Sequence, residues 1–144
     1  MGRKQIRKRK YVYFFLAGVI LLLLSGCASF EQRRLSGELR SAADLYGRGD
    51  FEGALKANQN VAALAEGKPP GDQSLFNMGL IYADSRYKKK DYRKSIALFQ
   101  RVVKEYPESP LAVQARTWIG VLGVIERSKE VDIELEHKKR RLVR

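Results

Sequence analysis

The 144 residues give room for one small domain, and 44% of them are hydrophobic. A single cysteine excludes an intrachain disulfide framework. The formal charge is +12, but six of the basic residues fall within positions 1–26, which hold no Asp or Glu, and the other basic clusters lack interleaved aromatics. The excess charge therefore argues for N-terminal targeting and against a nucleic-acid partner.

Arg3, Lys4, Arg7, Lys8, Arg9 and Lys10 precede fourteen consecutive apolar or glycine residues, Tyr11 to Leu24. That run is shorter than the ~20 residues of a membrane-spanning helix. A basic start, a short apolar run and small residues at a cut site predict a signal peptide over residues 1–26. Leu24-Ser25-Gly26-Cys27 resembles the bacterial lipobox, the alternative being a lone cysteine in a plain membrane anchor. The resemblance implies cleavage before Cys27 and acylation of its thiol, palmitate included, with residues 27–30 as lipidated N-terminus and short linker. Several lipid chains make a stable anchor. Ala28 stands where, in the resembled family, an Asp would favour inner-membrane retention. An outer-membrane, lipid-anchored, periplasm-facing location is therefore expected.

From residue 31 to 125 every periodic segment has helical spacing, which predicts an all-α domain. Leu35, Leu39, Ala42, Ala43 and Tyr46 form one stripe, broken by Gly47 and Gly49. Asp50 to Leu64 then aligns with Asp91 onward at an offset of 41 residues: Asp50 with Asp91, Phe51 with Tyr92, Ala54 with Ser95, Leu55 with Ile96, Val61 with Val102. Asn58 stands in the slot of Phe99, so the first repeat is degenerate. After the GKPPG turn, Gly67 to Gly71, a second hairpin begins. Asp72 is placed as the cap of its first helix, and Leu75, Met78, Gly79 and Tyr82 share a face. Ser85 to Lys90 make an enlarged, solvated turn. Asp91 caps a helix with the stripe Tyr92, Ser95, Ile96, Phe99 and Val102, ended by Pro107. Ser109-Pro110 starts another, carrying Leu111, Ala115, Trp118, Ile119, Leu122 and Ile125, which closes the array. Residues 126–144 read as a charged helical extension.

The Leu-Gly-Tyr-small-Phe-Pro spacing of the second hairpin resembles a tetratricopeptide repeat, with about four extra residues in its turn. Together with the lipobox, the chain is similar to the helical-repeat lipoproteins of the Gram-negative envelope, distantly to those of the BamD type. The resemblance implies a short solenoid of about two hairpins plus a long C-terminal helix, binding protein partners through a groove. If Leu75, Met78, Gly79 and Tyr82 face their own hairpin, then Gln73, Phe76 and Leu80 turn toward that groove, with Trp118 beside them. Burial against a neighbouring helix is the other reading for Phe76, Leu80 and Trp118. No nucleophile–base set and no phosphate loop can be assembled. His137, the only histidine, lies in the charged tail without converging ligands, so neither an enzyme nor a metal or cofactor site is expected. The expected function is a scaffold that serves outer-membrane protein assembly or, alternatively, a regulatory lipoprotein acting on a membrane sensor kinase. Cys27→Ser should abolish labelling by radioactive palmitate, and labelling that persists in this variant excludes the lipobox reading.

Overall fold

The computed structural model describes residues 32–143; the signal segment, the Leu24-Ser25-Gly26 motif and Cys27 lie outside the described residues. The chain divides between Ser36 and Gly37 into two compact units. In the first, residues 32–36 are helical, and the Ser36 hydroxyl donates to the Gln32 carbonyl at 2.8 Å. All described secondary structure is helical: α1 over residues 32–47, α2 Phe51–Leu64, α3 Gly71–Ala83, α4 Tyr92–Glu105 and α5 Pro110–Leu142. From α2 onward each helix packs on the next, and α3 also touches α5, the stacking of an all-α, tetratricopeptide-like solenoid.

The helix ends follow from local chemistry. The Gly49 amide donates to the Tyr46 carbonyl and the Asp50 amide to that of Leu45, a Schellman closure that needs the positive φ of Gly49 (+83°). Asp50 accepts from the Gly53 amide at 2.9 Å and Asp91 from that of Lys94 at 3.0 Å, so the repeated aspartate caps both second helices. Ser109 accepts from the Leu111 amide at 3.2 Å, with Pro110 as the first helical residue. Asp72 does not cap. Helix α3 starts two residues earlier than a cap at Asp72 requires, at Gly71, and Pro70 in the cap position makes no side-chain bond. Asp72 sits instead in the first turn, where its carboxylate suits the helix dipole and accepts from the Ser109 hydroxyl at 2.6 Å. One contact thus ties the starts of α3 and α5 together.

Two further expectations change. The turn after α3 is not simply solvated: Tyr87 is only 6% exposed, its ring 5.3 Å from Phe51 and 6.0 Å from Tyr82. Its hydroxyl donates to Glu52 at 2.9 Å, and Lys89 pairs with the same carboxylate at 2.7 Å, so the extra residues fold back on α2. The division at 125/126 falls inside one uninterrupted helix, α5, because neither proline nor a capping sequence interrupts it there.

Helices α3 and α4 meet at Gly79. A Cβ there would stand 2.7 to 3.0 Å from three atoms of the Phe99 ring, and the Ser95 hydroxyl donates to the Gly79 carbonyl at 2.6 Å. Phe99 is fully buried, its centroid 5.1 Å from Phe76 and 6.1 Å from Trp118, the last pair stacked at 13°. Farther along, Arg93 of α4 bonds Glu126 at 3.1 Å and Glu130 at 2.9 Å, and the Lys129 ammonium lies 4.1 Å from the Tyr92 ring. An enclosed ring cannot yield cheaply. Overpacking costs about 1–3 kcal/mol, against a helix-propensity gain of at most about 1 kcal/mol. Gly79→Leu is therefore expected to lower the thermal unfolding midpoint clearly. Lys89→Leu, which breaks only an exposed pair, should leave the midpoint close to that of wild type.

Candidate functional site

The best-formed concavity lies among α1, α2 and α3. Ala42, Ala43 and Tyr46 of α1, Asn58 of α2, and Asn77, Leu80 and Ile81 of α3 line a partly open pocket of about 90 Å3. Small side chains on α1 and the absence of an aromatic at position 58 leave this space. In the second hairpin Phe99 fills the corresponding slot; in the first, Asn58 does not.

Asn58 is 1% exposed and fully engaged: its amide donates to the Ala54 carbonyl at 2.8 Å and its oxygen accepts from Asn77 at 3.1 Å. The Asn77 oxygen accepts in turn from Gln73 at 2.8 Å. Gln73, Asn77 and Asn58 therefore form a ladder of neutral amides running from half-exposed to buried, and no buried side-chain polar atom among the described residues lacks a partner. The volume is below the ~150 Å3 of a cavity that holds benzene, so it suits a short aliphatic side chain. Beside it, the half-exposed end of the ladder, Gln73 and Asn77, carries amide donors and acceptors that a peptide backbone can use.

Tyr46, on the pocket wall, is positioned from outside. Its hydroxyl donates to Asp84 at 2.5 Å, and Asp84 takes a 2.7 Å bond from the Arg86 guanidinium. The guanidinium also lies 5.3 Å from the Tyr46 ring centroid and 5.5 Å from that of Phe51. The Arg86 hydrogen bond, aided by Tyr46, holds the Asp84 carboxyl well below the usual carboxylate range against the opposing effect of burial. Burial, then the bond to Asp84, raises Tyr46. Tyr87 is pushed up to about 12 by burial and by Glu52.

The four expected groove residues divide. Leu80 lines the pocket and Gln73 opens its amide ladder. Phe76 is 5% exposed and turned into the core, since one helical step of about 100° separates it from Asn77. Trp118 is half-buried against Phe99. Ala42, Ala43, Tyr46, Asn58, Asn77 and Ile81 were not foreseen as site residues. Their one signal in the sequence is a polar residue in the aromatic slot of a repeat. Tyr46 is the one titratable side chain in the pocket lining, and no group of three His, Cys, Asp or Glu side chains that could hold a metal occurs among the described residues.

A tetratricopeptide repeat model matches residues 73–109, which are α3, its turn, α4 and the approach to α5. Helical repeats of this kind are non-catalytic scaffolds for protein–protein interaction. Neither a curated protein sequence nor a solved structure matches the chain.

Because the folded state depresses Asp84, its contribution to stability is complete above the ordinary carboxyl pKa of about 3.9 and is lost as pH falls below it. Asp84→Asn is expected to cost on the order of 1–2 kcal/mol at pH 7, the worth of a charge-assisted bond. It should also flatten the acid limb of the stability curve, measured by denaturant unfolding between pH 7 and pH 3.

Proposed function

We propose that this chain is a lipid-anchored, periplasm-facing scaffold that receives a segment of a partner protein in the pocket among α1, α2 and α3. The observation that carries the binding role is the pairing of a small apolar cavity with the amide ladder Gln73–Asn77–Asn58. Together they offer one aliphatic side chain a seat of matching size and the adjoining backbone amide partners. The only ionisable group in the lining is the Tyr46 phenol, already committed to Asp84, and binding is the role the lining supports. Anchoring rests on Leu24-Ser25-Gly26-Cys27, and the periplasmic orientation on the same motif with Ala28. A scaffold in outer-membrane protein assembly is the role we favour. A regulatory subunit of a membrane sensor kinase is the second reading, favoured by the enlarged turn after α3 and the charged C-terminal half of α5.

A photo-crosslinking residue at Gln73 of the full chain, activated in intact cells, should give a discrete adduct with another protein. The same residue at Gln100, exposed on α4, should not. Filling the pocket with Ala43→Trp should remove the adduct. An adduct that survives Ala43→Trp excludes the pocket as the binding site.

A further inference from the structure

Helix α5 does two jobs along its 33 residues. Up to Glu130 it is held to the body through Ala112, Ala115, Trp118, Leu122 and the ion pairs of Arg93. From Arg127 to Val143 every residue is exposed. Beyond Glu130 no tertiary contact supports the helix among the described residues, and a helical stretch of that length standing alone is marginal in water.

The face turned away from the core is not polar. Val121, Val124, Val131, Leu135 and Leu142 are 48% to 82% exposed. With Ser128 and Lys138 they recur at alternating spacings of three and four, the seam of a heptad coiled coil. Single polar seam positions fix register at some cost in stability.

The charges sort in the same way. On the inner side Glu126, Lys129 and Glu130 are engaged with one another or with Arg93, and Glu136 with Arg140. The charges flanking the seam, Arg127, Asp132, Glu134 and Lys139, make no ion pair among the described residues. In a parallel, in-register pair of helices, a flanking residue meets the one about five positions later on its partner. That rule places Arg127 against Asp132 and Glu134 against Lys139, opposite charges both times and each pair formed twice by symmetry.

We propose that α5 pairs with α5 of a second copy as a parallel, in-register coiled coil along the Val121–Leu142 seam. The complementarity of the chain with itself selects a second copy over an unrelated helix. The seam shares no residue with the α1/α2/α3 pocket.

Ser128→Cys in the full chain tests the proposal, because in the parallel, in-register pair each seam residue faces its own copy. Under a mild oxidant, in membranes of cells producing the protein, a disulfide-linked species of twice the chain mass is expected. Ile133→Cys, on the opposite face, should yield at least several-fold less. Adding Glu134→Lys to Ser128→Cys sets lysine against lysine and should lower the yield several-fold, and Lys139→Glu added to both should restore it. Four results overturn the proposal: no dimer from Ser128→Cys, equal yields from positions 128 and 133, a linked species of any other mass, or no restoration by the charge swap.

Discussion

Where α3 crosses α4, the Gly79 backbone lies against the Phe99 ring with no room for a Cβ, and Ser95 reaches across to the Gly79 carbonyl. That carbonyl belongs to a helix interior, so the Ser95 bond adds a second donor to an oxygen with two lone pairs. The bond sets the rotation of α4 as well as its distance. Phe99 is thereby presented to Phe76 on one side and to the Trp118 indole on the other, and the seat of α5 follows. Glycine, small hydroxyl and aromatic act as one unit, because removing the close approach would leave the ring without a wall.

The first hairpin lacks this unit and is held by other means. Its aromatic slot carries Asn58, whose buried amide is satisfied by α2 itself and by Asn77 of α3. The turn after α3 contributes Tyr87, Arg86 and Lys89 to the α1–α2 corner, where they engage Phe51, Tyr46 and Glu52. Long insertions in turns add little loop entropy, so a few extra residues that bury a tyrosine are a net gain. The space in the first hairpin is therefore compatible with a stable fold, because its support comes from a segment outside the hairpin.

Most of the fold was legible in the sequence, for reasons that are local. Asp50, Asp91 and Ser109-Pro110 are caps whose chemistry is written in the residue itself, and the stripe Ser95, Phe99 and Val102 is buried as its spacing requires. Asp72 misled because a good capping residue can equally serve in the first turn, and the choice was made by the backbone at Pro70 and Gly71. Of the candidate site, Gln73 and Leu80 could be placed on the open side of α3. Phe76 could not be separated from them, since faces only tens of degrees apart differ by which neighbour arrives first. The pocket itself depends on α1 and α2 approaching α3, a tertiary fact that periodicity does not contain. Asn58 was visible as an oddity, but its meaning required Asn77 beside it.

The unbroken run of α5 has a mechanical side. At about 1.5 Å per residue the helix measures on the order of 50 Å, and its first half is a wall of the core. Gly120 and Gly123 both fall within the supported half, and no proline occurs between Leu111 and Leu142 to act as a joint. Once paired along its seam, the distal half becomes a stiff lever whose fulcrum is the Arg93 clamp on Glu126 and Glu130. A sideways displacement of its far end reaches the Phe99–Trp118 stack as a rotation of the same rod, so whatever grips the tip also leans on the centre of the domain.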